Sequence, residues 1–318
     1  VGRENRGFVY ESRVGRPAQG HELLAHLAER HRHSSREAWR QRILDGQVEL
    51  DGRPARVDER LVAGQLLVWR RPPWVEADVP LGFAVLHQDA DLLAVAKPRG
   101  LPTLPAGGFL ENTLLRLVRD HYPEATLAHR LGRGTSGLVM ACLSPRARSQ
   151  VARCLREATV RKTYRALLCG CPQRESFDVD IPIGPVPHPI LGTVHAACRD
   201  GRSALSRVRL LEGRGAASLA EVEIVTGRPH QIRAHLAAVG HPLLGDPLFA
   251  PGGGVRPAAL PGEGGFWLHA HKLRLPHPRS GLLLELECAP PPVLREGGGT
   301  GRLCHTASRE LPGSEPRG

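Results

Sequence analysis

Apolar and polar positions divide the chain into two unlike stretches. Residues 1–18 are polar and irregular, and the first periodic signal is the stripe Leu23, Leu24, Leu27 and Ala28, spaced as on one face of a helix. Ser34 and Glu37 form an S-x-x-E capping box ahead of a second helix, which Ala38, Trp39, Ile43 and Leu44 carry to a stop at Gly46. Val48 and Leu50 alternate with Gln47 and Glu49, and Asp51-Gly52 is a hairpin signal. A closing strand, Leu66-Leu67-Val68-Trp69, precedes a linker at Arg71-Pro72-Pro73.

From Leu81 the pattern changes to strands interspersed with helices. Strands are expected over 83–86, 92–96, 164–168, 203–211, 220–225 and 282–287, and helices over 112–121 and 229–239. Ser144-Pro145 supplies a cap and a first-turn proline for a further helix with Ala147, Val151, Leu155 and Ala158 inward. Residues 251–265 read as a Gly/Pro-rich loop. The strands lack a regular strand–helix–strand rhythm, so the fold class is α+β with a mixed, largely antiparallel sheet. The expected organisation is an irregular segment over 1–18, a small module over 19–72, a catalytic-type domain over 81–292 and a disordered tail over 293–318.

Charge sharpens this picture. The 318 residues hold 43 Lys and Arg against 32 Asp and Glu, a net +11 that suits a polyanionic partner. Lysine occurs only at Lys97, Lys162 and Lys272, an arginine bias that a GC-rich genome also produces. Distribution therefore counts for more than the sum. From Arg130 to Arg165 nine basic residues face one acid, Glu157, which suggests a surface that tracks phosphates. The seven cysteines include no CxxC pair, so no metal site is expected and a reducing compartment fits. No apolar run approaches the roughly 18 residues of a membrane span, and the first 20 residues lack a signal-peptide core. The expected location is cytoplasmic, or an organelle if a leader precedes Val1.

The first module resembles the S4-type (alpha-L) RNA-binding domain from about His21 to Trp69, with its Ser35-Arg36 pair, second helix and Gly46–Gly52 hairpin. Its second helix would set Arg36, Arg40 and Arg42 near the surface, where guanidinium groups suit phosphates.

Four motifs follow in order: Asp91–Leu101 with Lys97-Pro98-Arg99-Gly100; HRLGRGTSG from His129 to Gly137; Arg161-Lys162-Thr163-Tyr164-Arg165-Ala166; and TGRPHQIRAH from Thr226 to His235, running on to Asp246. Together they resemble the RluA-type pseudouridine synthases over about residues 82–290. The resemblance implies isomerisation of uridine in structured RNA, either rRNA or tRNA, by a monomer without a cofactor. The glycosidic bond breaks, the base turns over, and C5 joins C1′. A base that must leave its stack costs about a few kcal/mol. Arg130 matches the family arginine that fills the vacated space. Tyr164 matches the tyrosine that stacks on the flipped uracil and is a candidate for removing the C5 proton. Arg233 matches the arginine that pairs with the catalytic carboxylate. Arg133, Arg161, Lys162 and Arg228 are further candidates for RNA contact.

One departure matters. The family aspartate, three residues after the motif histidine, is Gly132 here, a form that resembles a variant sub-branch with plant members. Glycine supplies neither nucleophile nor base. A catalytically inactive RNA-binding protein of the same fold is therefore the alternative to the enzyme, while the retained Tyr164 and Arg233 favour catalysis.

Overall fold

Short alternating strands build an N-terminal sheet from β1 (Phe8–Arg13), β2 (Val48–Leu50), β3 (Arg53–Pro54) and β4 (Leu66–Arg71), in the order β1-β4-β2-β3. The computed structural model describes residues 4–31, 34–260 and 262–298. Helices α1 (Leu23–Arg30) and α2 (Arg36–Leu44) pack on this sheet, closing a core that includes Leu23, Leu27, Trp39, Ile43 and Leu50.

Two expectations change here. Segment 1–18 is not irregular throughout, because β1 pairs antiparallel with β4 from Phe8↔Arg71 to Arg13↔Leu66. Its side chains stay largely exposed, so burial left little mark on its sequence. The cap of α2 is Ser35 rather than Ser34. Its hydroxyl accepts the Ala38 N–H at 3.1 Å, satisfying a free donor of the first turn.

The second sheet has ten strands: β5 (Ala84–Gln88), β6 (Leu92–Lys97), β7 (Thr126–Leu127), β8 (Ser136–Cys142), β9 (Arg161–Cys169), β10 (Ser176–Asp180), β13 (Leu205–Arg214), β14 (Ala217–Ile224), β15 (Leu268–Pro276) and β16 (Leu283–Glu287). Its main path runs β10-β13-β14-β9-β15-β8-β6-β5, and a separate hairpin joins β11 (Ile183–His188) to β12 (Gly192–Ala197). The contact between β8 and β15 is parallel, while the others are antiparallel, so the sheet is mixed. No helix among the described residues is long and apolar enough to cross a membrane.

Alternation splits the large sheet into two apolar layers. Leu93, Val95, Val139 and Tyr164 face α3 (Leu114–His121) and α5 (Gln231–Ala238), whereas Leu92, Ala94, Leu138 and Met140 face α4 (Pro145–Arg156). The inner side of α4 is Ala147, Val151 and Cys154; Ala158 lies past its end with a positive φ of 55°. The exposed Arg146, Arg153 and Arg156 consequently lie across the sheet from Tyr164. The basic run from Arg130 to Arg165 is not one continuous surface.

Residues 293–298 are also not a loose tail. Leu294 is fully buried against Leu167, Ala217 and Leu219, and Arg214 Nη1 donates to the Val293 carbonyl at 2.6 Å. The remainder of the expected tail, 299–318, lies outside the described residues.

The parallel seam depends on one glycine. Gly137 stands opposite Ala270 with φ +110°, and a Cβ there would lie 2.3 Å from the Ala270 carbonyl oxygen. Gly137→Ala should force β8 and β15 apart and cost about 3 kcal/mol or more, from backbone strain added to a main-chain clash. Urea unfolding measures this; a midpoint equal to that of the parent protein would show that the seam tolerates a side chain.

Candidate active site

Strand alternation sorts the basic motif of β9. Lys162 and Tyr164 point into the layer shared with α5. Arg161 points the other way and pairs with Glu223 at 3.0 Å, while Arg165 meets Glu221 at 3.4 Å. Arg161, a candidate for RNA contact, is thus separated from Tyr164 by the sheet itself.

The Tyr164 ring is buried among the residues around Val222, Ile232 and Ala270, and burial pushes its hydroxyl up to about 12. The side chain is therefore a neutral phenol at physiological pH, because the low-polarity surroundings disfavour phenolate. Lys162 Nζ lies 3.8 Å from where a Gly227 Cβ would sit, and burial lowers its pKa. His129 is pushed down to about 3, by burial first and then by the Lys162 charge. Its neutral Nε2 accepts the Met140 N–H at 3.2 Å, so this imidazole anchors the turn to β8.

The glycine-rich turn ahead of β8 is held from several sides. The Thr103 hydroxyl donates to the Leu131 carbonyl at 2.7 Å and accepts the Leu131 N–H at 3.2 Å. Gly100 N–H donates to the Arg133 carbonyl at 2.8 Å, and the buried Lys97 Nζ donates to the Leu101 and Pro98 carbonyls at 2.7 and 2.9 Å. Lys97-Pro98-Arg99-Gly100 is in this way a support for the turn. Gly132 itself is exposed; a Cβ added there would meet only Thr135 Oγ1, at an ordinary 3.7 Å. An aspartate fits the backbone that glycine occupies.

Arg233 sits on the first turn of α5, which His230 enters in the left-handed conformation at φ 57°. Its guanidinium makes a bidentate pair with Asp246: Nε donates to Oδ2 at 2.7 Å and Nη2 to Oδ1 at 2.8 Å. Leu248 and Phe249 N–H groups complete the Oδ1 shell at 2.9 and 3.1 Å. The Asp246 side chain is only 1% exposed. Asp246 thus fills the role of Arg233's partner but is sealed from any substrate. Arg233, matched in sequence to an arginine whose carboxylate partner is replaced by Gly132, therefore has a carboxylate from elsewhere in the chain.

The same guanidinium lies 4.3 Å over the Phe266 ring, and the edge of that ring reaches the turn, 2.9 Å from where a Gly134 Cβ would stand. Arg233 and the Gly132 turn are brought together through Phe266. His230 is pushed down to about 4 by burial and then by Arg233, His195 and Arg130, which places the exposed Arg130 within electrostatic reach of α5. Arg133 donates to the Gly262 carbonyl at 2.8 Å. Arg228 donates to the Ser203 carbonyl at 3.0 Å, bracing the turn before α5. Arg36 and Arg40 lie apart on α2, paired with Glu22 at 2.9 Å and Glu37 at 3.6 Å. Arg42 is not a free surface group, since its guanidinium lies against both the Trp39 and Trp69 rings, at 4.5 and 4.8 Å from their centres. Sequence reasoning missed His230 and Phe266 as site residues, and missed Asp246 as the partner of Arg233 although the residue ends a quoted motif.

Residues 91–238 match the model of the RNA pseudouridylate synthase family. An uncharacterised RNA pseudouridine synthase of Synechocystis is 43% identical over 277 residues, covering 86% of this chain and 95% of the relative. The chain belongs to the RNA pseudouridylate synthase family. RNA pseudouridine synthase 5 of Arabidopsis thaliana is 36% identical, over 75% of this chain and 80% of that one. The structure of human RNA pseudouridylate synthase domain containing 1 superposes with a TM-score of 0.54 at 27% identity, covering 69% of this chain and 88% of that one. Within such an isomerase, the motif turn meets α5 through Phe266, and α5 shares its apolar layer with the Tyr164 face of β9, which together make the candidate site.

Asp246→Asn in this synthase removes the charge that holds a buried guanidinium, and should cost about 3–5 kcal/mol of stability. Pairing it with Arg233→Met removes the stranded cation as well, so the double variant should recover part of the loss. Urea midpoints of the three proteins check this, and a double variant no better than the single one would show that the pair is not the main term.

Proposed function

We propose that this chain converts uridine to pseudouridine in structured RNA, an rRNA or a tRNA, acting in the cytoplasm as a monomer. Residues 81–292 form the catalytic domain and residues 19–72 an S4-like module that holds the RNA through Arg36 and Arg40. The observation that carries this reading is the placement of Tyr164 and Lys162 on one face of β9, in the layer that holds α5 with Arg233 and the Gly132 turn. A uridine turned out of its stack meets the Tyr164 ring, while the exposed Arg130 guanidinium is placed to occupy the gap or hold the flanking phosphate. The Lys162 ammonium, which has no carboxylate partner among the described residues, offsets phosphate charge beside Gly227.

With its hydroxyl at about 12, Tyr164 contributes first as a stacking surface and a proton donor. Removal of the C5 proton by Tyr164 would require its own proton to leave during the step. Tyr164→Phe should keep RNA affinity and lower turnover, and unchanged turnover would leave the ring with a packing role alone.

The missing carboxylate is the point on which a second reading, an inactive RNA-binding protein, stands. Gly132 has no side chain and Asp246 is enclosed. Glu263 is the candidate substitute. It lies between Gly262, which accepts from Arg133, and Gly264, whose Cα is 3.5 Å from the space of a Gly134 Cβ. Tritium release from C5-labelled uridine in RNA decides among the readings. Weak but measurable parent activity is expected, with Glu263→Gln lowering it and Gly132→Asp raising it. Loss of a catalytic carboxylate costs roughly 10⁴-fold in comparable constellations. An inert parent protein with an active Gly132→Asp variant would establish the inactive reading. Equal rates for the parent and Glu263→Gln would remove Glu263 from the chemistry.

A further inference from the structure

Aromatic and arginine side chains continue from the N-terminal sheet to the Gly132 turn. On the face of β1 and β4 that carries Leu67 of the core, Phe8 stands opposite Arg71 and Tyr10 opposite Trp69. Tyr10 stacks on Trp69 with ring centres 5.0 Å apart and planes 16° apart, and Phe8 meets Tyr10 edge-on at 4.7 Å. Neither outer ring is covered: Phe8 is 43% exposed and Tyr10 42%. The Arg71 guanidinium bridges onward, 5.9 Å over Trp69 and 3.4 Å over Trp74. Trp74 Nε1 donates to the Gly108 carbonyl at 2.7 Å, which ties it to the loop of the next residue, Phe109. Over the Phe109 ring, at 5.4 Å, lies the guanidinium of Arg133, neighbour of Gly132.

The charges along this line differ from those elsewhere. Arg36, Arg53, Arg56, Arg70, Arg161, Arg209 and Arg274 all reach carboxylates. Arg42, Arg71 and Arg133 have none among the described residues, and Arg42 Nη1 is buried without a hydrogen-bond partner. Arg71 and Arg133, set over the half-buried rings of Trp69, Trp74 and Phe109 and in line with the exposed Phe8 and Tyr10, suit a strand whose bases stack and whose phosphates carry charge. Base–aromatic stacking is worth about 1–3 kcal/mol per base and needs no particular sequence.

We propose that Phe8, Tyr10, Arg71, Trp74 and Phe109 form a track for single-stranded nucleotides of the RNA, leading from the N-terminal sheet to the Gly132 turn. The proposal rests on the reading of the chain as an RNA-acting synthase and adds the surface that holds the strand flanking its target. This surface is separate from Arg36 and Arg40 of α2 and ends at the Gly132 turn. It selects unpaired segments, because bases inside a duplex have no free faces.

The test is tryptophan-fluorescence titration of the full chain with an eight-residue oligouridine and with a duplex of equal length, at several salt concentrations. Parent protein should bind the oligouridine with quenching. Phe8→Ala/Tyr10→Ala should weaken oligouridine binding about tenfold or more, with the slope of log K on log salt unchanged, because no phosphate contact is lost. Arg71→Gln should weaken it and reduce the slope by about one. Tyr10→Leu keeps apolar bulk without a ring, so a loss of binding in this variant at unaltered thermal stability separates stacking from folding. Affinities of the ring variants within twofold of the parent would overturn the track while leaving RNA binding intact. A parent that forms dimers which Phe8→Ala/Tyr10→Ala dissolves would overturn it too, assigning the rings to a second copy of the chain. A parent that binds neither oligouridine nor duplex would instead remove the RNA reading on which the track rests.

Discussion

The ion pair of Arg233 and Asp246 is the constraint around which the candidate site is arranged. Two charges taken out of water cost several kcal/mol each unless geometry and extra hydrogen bonds compensate. Here the fork is bidentate, two backbone N–H groups saturate Oδ1, and Phe249 and Phe266 lie 5.1 and 4.3 Å from the guanidinium. Because Phe266 also abuts the Gly134 position, the pair sets α5, the start of β15 and the glycine-rich turn relative to one another. It further explains how glycine is tolerated at position 132. The arginine is already neutralised, so no buried cation waits for an aspartate from the turn.

Bringing Asp246 under Arg233 needs two chain segments in main-chain contact. A Cβ on Gly245 would stand 2.4 Å from the Gly265 carbonyl oxygen, and one on Gly265 2.5 Å from that of Gly245, with both residues at positive φ. Only glycine at both places lets the 251–265 loop return so close. Within that loop Gly265 is therefore a packing requirement of the site, whereas a Cβ at Gly252, Gly254, Gly262 or Gly264 would meet open space, and the return at Gly265 brings Glu263 and the Gly262 carbonyl to the turn.

The strands with clear alternation and the helices with caps were legible. The helix expected over 112–121 begins after Thr113, whose hydroxyl accepts the Arg116 N–H, and the one over 229–239 forms as α5. Strands β8 and β15 were not legible, although both lie in the middle of the sheet. Ser136–Cys142 is apolar on both faces and so has no period of two, and Leu268–Pro276 interleaves histidines and basic residues with its core positions. His269 and His271, two apart in β15, both place a ring nitrogen within hydrogen-bond distance of the Cys288 carbonyl, at 3.1 and 2.9 Å. Of the candidate site, residue types and motif order were readable. Which side of β9 each motif residue takes was not read, and that side separates Lys162 and Tyr164 from Arg161. The Asp246 partnership was hidden because it joins positions through a turn rather than through spacing.

The stretch after β4 joins the N-terminal sheet to the candidate site rather than merely spacing them. Arg71, the first residue of the expected linker, is the last of β4, Pro72 and Pro73 offer no N–H, and Glu76 just beyond them is 1% exposed. Its carboxylate accepts the Asn5 Nδ2–H and the N–H groups of Leu110, Glu111 and Asn112 at 2.8 to 3.0 Å. Burial alone would raise this carboxyl, yet these donors together hold it below the usual glutamate range. By linkage, a carboxylate with a lowered folded pKa stabilises the native state above its unfolded value and loses that contribution as pH falls through the folded one. Near neutrality Glu76 therefore remains ionised and fastens three elements at once: the segment before β1, the chain leaving β4, and the loop that sets Phe109 beneath Arg133. A single buried acid thus fixes the N-terminal module in register with the turn where chemistry is expected, although no motif names it.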